Sequence, residues 1–221
     1  MSELNDQELL SSYEGSAAHD EGQDAEVSRL TIALPEPLKL GETEIASITL
    51  REPTLYEVIT AAKQVKSFPN ISPVEVMEAE LELVRQVSGL SDAVFSRLPA
   101  SVVRQARDYV VRFEEEARQR MAEQIEGWGD DLPAERTLAF SPSIPGGSQN
   151  WDSMSLRSPT VGQMRPAKAL LKKPSLEALF RSDELLITAV SGWPKAAVLR
   201  LPISRYVEAA GYLNAFFPDG R

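Results

Sequence analysis

The pentapeptide LREPT at residues 50–54 returns as LRSPT at residues 156–160, a shift of 106 positions. Four further residues keep their type under this shift: Thr31, Ala33, Gly41 and Ser47. After a three-residue deletion the shift becomes 103, and the tripeptides VSG at 87–89 and RLP at 97–99 recur at 190–192 and 200–202. Such agreement, in matching order and with one short gap, predicts a tandem duplication.

Each copy begins with the pattern of a β-hairpin. Apolar and β-branched residues fill 29–34 and 44–50, with Pro35, Pro37 and Gly41 between them, which predicts two paired strands. The counterpart strands are predicted at 137–140 and 151–156. A Thr with Glu or Gln three residues later follows each hairpin, in the pairs Thr54/Glu57 and Thr160/Gln163. This spacing is a capping box, so a helix is predicted to begin at both places.

Three more helical segments are predicted after that first helix. Ser72 and Glu75 form another capping box, and an apolar stripe at helical spacing leads to Gly89: Val76, Met77, Leu81, Val84 and Val87. The matching helix of the second copy ends at Gly192. A short helical turn precedes Pro99 and Pro202, and a last helix runs from about residue 101 to about 126 in the first copy. In the second copy the last helix is predicted to end at Pro218.

The predicted fold class is therefore α+β and predominantly helical. It consists of two tandem repeats, each a β-hairpin followed by three to four short helices. We predict a tail over residues 1–27, a first unit over residues 28–127 (unit 1) and a second over residues 128–221 (unit 2).

The composition argues against an enzyme and against a metal or cofactor site. The 221 residues include no Cys and a single histidine, His19, so thiolate zinc sites, iron–sulfur clusters and disulfides are excluded. No acidic residue flanked by apolar neighbours occurs at the same place in both copies. No apolar run approaches the ~20 residues of a membrane span, and the N-terminus has no signal pattern. A soluble, cytoplasmic protein without cofactors is expected.

The net charge of −10 is concentrated at the N-terminus. Residues 1–27 contain eight acids and no Lys or Arg, which leaves 25 acids and 23 bases, a net −2, for the rest. With so few apolar residues the tail is predicted to be disordered and solubilising, with binding of a partner as the alternative. The body has no basic helix or stripe, and this disfavours a nucleic-acid-binding role.

The second unit holds most of the aromatic side chains and is slightly basic, with 11 bases and 9 acids. We therefore favour it for a partner-binding groove. The candidate residues are Arg157, Trp193, Arg200, Tyr212, Phe216 and Phe217. A structural role is the competing interpretation: an Arg beside Leu-Pro commonly binds helix-end carbonyls, and aromatic residues four apart on a helix usually belong to a core.

The first copy resembles the tail assembly chaperones of phages, in particular the small tail proteins grouped with the Mu-like chaperones. The resemblance rests on Gly41-Glu42 in the hairpin, ITLREPT at 48–54, VSGL at 87–90 and RLP at 97–99. In the second copy Gly147-Ser148 replaces the Gly-Glu pair, and Ser158 replaces Glu52.

The resemblance implies a non-enzymatic assembly factor in the host cytoplasm. Such proteins bind the long helical tape-measure protein and keep it soluble until the tail-tube subunits polymerise around it. Tail-tube proteins and further copies of the chain are additional candidate partners, whereas nucleic acid and membranes are not. The alternative is a structural tail or baseplate component, built from the same duplicated unit and retained in the virion.

Overall fold

The structure is a computed structural model, and it describes residues 29–40, 43–129 and 131–217. The predicted tail over residues 1–27 lies outside the described residues, as does His19.

Unit 1 is a hairpin followed by four helices. Strands β1 (Leu30–Leu40) and β2 (Thr43–Leu50) pair antiparallel. The helices are α1 (Leu55–Ala62), α2 (Pro73–Ser88), α3 (Asp92–Phe95) and α4 (Ala100–Trp128).

Unit 2 repeats this order. Strands β3 (Glu135–Gly146) and β4 (Gln149–Arg157) pair antiparallel, and α5 (Val161–Ala169) follows with a 3₁₀ turn at Leu170–Lys172. The last helices are α6 (Leu176–Ser191), α7 (Lys195–Leu199) and α8 (Ile203–Asn214). The starts of the helices in the two units differ by the same 106 and 103 positions as the repeated motifs, so the predicted fold class and duplication are confirmed.

Local signals place the helix ends. The three predicted capping boxes are present: the side chains of Thr54, Ser72 and Thr160 accept hydrogen bonds from the N–H of Glu57, Glu75 and Gln163. Gly89 and Gly192, with φ of 66° and 73°, end α2 and α6 in the left-handed region that glycine adopts at little cost.

The hairpins extend further than the sequence predicts. The prolines between the apolar runs were expected to end β1 near residue 34 and β3 near residue 140, but both strands continue past them. Each contains a register shift, between Ala33 and Leu38 and between Ala139 and Ile144. Pro35, Pro37 and Pro142 fall within these irregular stretches, where a missing N–H lies outside the regular ladder, whereas Pro145 pairs with Asn150.

One hydrophobic cluster contains buried residues of both units, and α4 of unit 1 packs along α8 of unit 2. Backbone hydrogen bonds also join the units. The N–H of Leu55 donates to the carbonyl of Leu201 at 2.9 Å, and the N–H of Ile203 donates to the carbonyl of Pro53 at 2.8 Å. The repeated REPT motif of unit 1 thus pairs with the repeated RLP motif of unit 2.

Candidate functional site

An apolar cleft of about 220 Å³ opens where α1, α2 and α4 of unit 1 meet the first turns of α6 and α8. Most of its lining residues come from unit 1, and three come from unit 2: Leu176, Phe180 and Ile203. The lining is mainly aliphatic, so the cleft is suited to apolar side chains rather than to a polar small molecule.

The α2 wall of the cleft leaves apolar side chains exposed. Val76 is 43% exposed and lines the cleft, as do Ala79 and Leu83, which follow at helical spacing. Val74, 61% exposed, lies on the opposite side of the helix, two residues before Val76. Of the apolar stripe seen in the sequence, Val84 and Val87 are buried, whereas Met77 is 45% exposed.

The loop between α1 and α2 forms one end of the cleft, where Val65 and Ile71 line it. The Glu75 carboxylate holds this loop. It accepts hydrogen bonds from the Ser67 hydroxyl, from the N–H of Lys66 at 2.7 Å and from the N–H of Ser72 at 3.1 Å. The Ser67 hydrogen bond, together with these amides, lowers the pKa of Glu75 from 4.5 to about 2.

The charged residues lining the cleft are two acids and one base. Arg118 pairs with Glu114, with 2.6 Å between Nη2 and Oε1. Glu80 lies 3.6 Å from Arg107, which is not a lining residue. Of the neighbouring glutamates on α2, Glu82 pairs with Arg85 at 2.7 Å, and Glu78 is exposed.

Two of the six predicted partner-binding residues lie in the core. Trp193 is 3% exposed, and its ring centroid is 5.3 Å from that of Trp151. Tyr212 is 0% exposed, and its hydroxyl donates to the carbonyl of Pro133 at 2.8 Å. Neither side chain offers a surface to a partner in this arrangement.

Phe216 and Phe217 are half-buried after the end of α8. The ring of Phe216 meets that of Tyr212 edge to face at 5.3 Å between centroids, and the Lys168 amine lies 5.6 Å from the Phe217 ring. These two aromatic residues are therefore partly accessible, but they are not lining residues of the cleft.

The repeated arginines differ in what they contact. Arg97 donates to the carbonyl of Lys39 at 2.9 Å, and Arg200 donates to that of Pro145 at 3.2 Å, so both fasten a hairpin to the helices behind it. Arg51 binds the buried Glu57 carboxylate through both terminal nitrogens, at 2.9 and 2.7 Å. Arg157 is exposed, and the neutral Gln163 stands at the position that Glu57 holds in unit 1.

A buried polar cluster lies beside the α4–α8 contact. The Asp183 carboxylate accepts hydrogen bonds from Tyr206 Oη at 3.0 Å and from Asn214 Nδ2 at 3.1 Å. Burial raises the pKa of the Asp183 carboxyl, and burial together with Asp183 raises that of Tyr206 well above its ordinary value. Since these groups satisfy one another, we assign the cluster to packing.

Within the described ranges, no group of three or more His, Cys, Asp or Glu residues is arranged to hold a metal ion. The helices described are also too short or too polar to cross a bilayer.

The sequence did not predict the cleft, because no local pattern shows that Leu176, Phe180 and Ile203 of unit 2 complete the lining supplied by unit 1. Its one local signal was the stretch of Val74, Val76 and Met77 among glutamates, which helical periodicity alone assigns to a core.

The chain matches no curated protein and no solved structure. It does match a family model, described as phage tail assembly chaperone proteins, E, or 41 or 14, twice, over residues 31–115 and 137–218. The two matches start 106 and end 103 positions apart, as the repeated motifs do, and together they cover most of the chain. The chain therefore belongs to the phage tail assembly chaperone family, as a tandem duplication of its unit.

Proposed function

We propose that this protein binds the tape-measure protein in the host cytoplasm and keeps it soluble until the tail tube polymerises. It does so without catalysing a reaction. The family supports a role in tail assembly, and the client and the solubilising action are the proposed part.

The observation that carries the proposal is the apolar cleft with the exposed Val76 on its wall. A helix presents apolar residues at i, i+3, i+4 and i+7, and such a stripe fits into a groove between helices. A tape-measure protein is a long helical client, so covering apolar stripes along its length would limit its aggregation.

The charged residues beside the cleft affect which apolar helix stripes of the client it can bind. The lining carboxylates Glu80 and Glu114 already pair with Arg107 and Arg118. A Lys or Arg of the client segment would therefore share or replace these arginines. Opposite charges at the edge of an interface mainly raise the association rate and select among partners, while the buried apolar contacts supply most of the affinity.

Unit 2 provides a second proposed contact region. Arg157, Phe216 and Phe217 are accessible or partly accessible there. Tyr212 packs against Phe216 from the core, Trp193 packs against Phe140 and Trp151 of the hairpin, and Arg200 holds that hairpin in place. Two regions on one chain would raise the effective concentration of the second contact once the first has formed.

The experiment is co-expression of this protein with the phage's own tape-measure protein, followed by measurement of soluble client and of client that co-purifies. Val76→Asp places a charge in the cleft and is expected to raise the dissociation constant for the client at least about tenfold, the equivalent of about 1.4 kcal/mol, and so to reduce the client that co-purifies. Val74→Asp is the matched control, since it makes the same change on the opposite side of the same helix.

The proposal fails if the wild-type protein leaves the solubility of the client unchanged and forms no complex with it. If Val76→Asp and Val74→Asp reduce binding equally, while both keep the wild-type melting temperature, the cleft is not the binding site. Mass spectrometry of purified virions tests the structural alternative, because a retained tail component would be abundant in the particles.

A further inference from the structure

The first helices of the two units, α1 and α5, correspond to each other in the duplication, and each begins with a capping box. They differ in whether other helices cover them. In unit 1, α1 is covered by α6, α7 and α8 of unit 2. Leu55 and Ile59 on its covered side are both 0% exposed. Their counterparts 106 positions later are Val161 and Arg165 on α5, where Val161 is 60% exposed and Arg165 is exposed. One uncovered helix face is therefore left over from the duplication.

This leftover face, which we name the α5 outer face, is apolar and basic. Val161, Arg165 and Ala169 follow one another at helical spacing on α5, and Lys172 lies in the 3₁₀ turn after it. All four residues are exposed. Between residues 153 and 176 the sequence has five bases and no acid: Arg157, Arg165, Lys168, Lys172 and Lys173. The face therefore carries a concentrated positive charge beside exposed Val161 and Leu170.

A second copy of the chain cannot cover this face by repeating the contact that covers α1. The surface of α6, α7 and α8 that would do so is already occupied, in every copy, by that copy's own α1. The helix face that would make this contact is also no longer apolar on α5, since Arg165 stands where the buried Ile59 stands on α1. A charged guanidinium would lose its hydration against that apolar surface.

The N-terminal arm, residues 1–28, has the complementary composition. It contains eight acids and no Lys or Arg, and three leucines lie among the first of these acids, at positions 4, 9 and 10. Arg29, where the described chain begins, is its point of attachment. An extended chain of this length spans roughly 90 Å, at about 3.3 Å per residue, so the arm can reach α5 from any point on the surface.

We infer that the acidic N-terminal arm docks on the α5 outer face of its own chain. Its carboxylates lie near Arg165 and Lys172, and its leucines cover Val161 and Leu170. Because the arm is tethered, its effective concentration near the face is of millimolar order, so a weak contact suffices to keep it covered. In this position the arm covers α5 on the side that corresponds to the covered side of α1. On α1 that side is covered by unit 2.

The absence of Cys allows a single label to be placed in the arm. In low salt, a spin label on Ser12→Cys is expected to broaden the amide NMR signals of Val161, Arg165 and Ala169. Their intensities should fall below about half of those in the sample with the reduced, diamagnetic label. Raising the salt to about 1 M shortens the screening length to about 3 Å and is expected to restore these signals.

The charge-reversal variant Arg165→Glu/Lys172→Glu is expected to lose the broadening. The matched control Arg104→Glu/Arg120→Glu reverses two exposed bases on α4 and is expected to keep it. Broadening of the cleft residues in place of α5, or equal broadening in both variants, would overturn the inference. So would broadening that appears only when labelled and isotope-enriched chains are mixed, since the arm would then bind another copy.

Discussion

The carboxylate of Glu52 in unit 1 accepts a hydrogen bond from the backbone N–H of Ser204 in unit 2, at 2.7 Å. Ser204 lies in the first turn of α8, whose preceding residue, Pro202, has no side chain that could cap it. A carboxylate placed there binds an unpaired amide and interacts favourably with the positive end of the helix. One unit thus caps a helix of the other across 152 positions of sequence.

Glu52→Ala is expected to lower the free energy of unfolding by about 1 kcal/mol, the usual effect of losing an N-terminal cap. Glu44→Ala is the control, because it removes an exposed glutamate from β2 in the same unit. Chemical denaturation of both variants measures the difference. Equal stabilities would mean that the Glu52 hydrogen bond makes no net contribution.

The close approach of α4 and α8 predicts that enlarging Gly211 destabilises the protein. A Cβ added to Gly211 would lie 2.4 Å from Cγ of Met121, a side chain that is 3% exposed. Gly211→Ala is therefore expected to destabilise the protein by about 1–3 kcal/mol through overpacking, although alanine favours a helix. Gly162→Ala on α5, where no side chain of another element lies close, is expected to be neutral or stabilising.

A double-mutant cycle separates crowding from other causes. In a Met121→Ala background the added methyl group has space, so Gly211→Ala is expected to stabilise there. A loss of stability that is the same in both backgrounds would contradict the crowding explanation.

The local features of this fold were readable from sequence, and the contacts between the units were not. The pairs Thr54/Glu57 and Thr160/Gln163 lie three residues apart, and a capping box needs nothing else. The pairing of Leu55 with Leu201 depends on how two complete units pack, and no local pattern encodes it. Likewise Val76 on α2 and Trp193 in the loop after α6 are both apolar, yet only tertiary neighbours decide that Val76 is exposed and Trp193 buried.

The Glu75 hydrogen bonds predict an acid-dependent contribution to stability. The pKa of Glu75 is lowered from 4.5 to about 2 in the folded state, so the stabilisation is fully present above 4.5 and is lost as the pH falls towards about 2. Glu75→Gln removes it. The melting temperature of the variant is expected to lie below that of the wild type at neutral pH and to approach it in acid.

Melting curves across this pH range test the prediction, with Glu78→Gln as a control for the loss of one exposed carboxylate from α2. A constant difference between Glu75→Gln and the wild type at every pH would show that the ionised form of Glu75 is not the source of the stabilisation.

The repeated arginines of the REPT and RSPT motifs are expected to differ in their effect on stability. Arg51→Ala leaves the Glu57 carboxylate, 7% exposed, without its cation, and a loss of about 1–3 kcal/mol is expected. Arg157→Ala removes an exposed side chain, and Gln163 at the position of Glu57 carries no charge to leave unpaired, so a change within about 0.5 kcal/mol is expected. Denaturant titration of the two variants measures this contrast.

Because Arg157→Ala is expected to fold normally, its effect on client binding can be interpreted directly. If Arg157 contacts the tape-measure protein, the amount of client that co-purifies should fall while the melting temperature stays the same. Arg157→Lys keeps the charge but loses the planar pair of donors. If the Arg157→Lys variant binds the client as well as the wild type does, the contribution comes from charge rather than from a bidentate contact. Unchanged binding in Arg157→Ala would remove this residue from the proposed second contact region and leave Phe216 and Phe217 to be tested there.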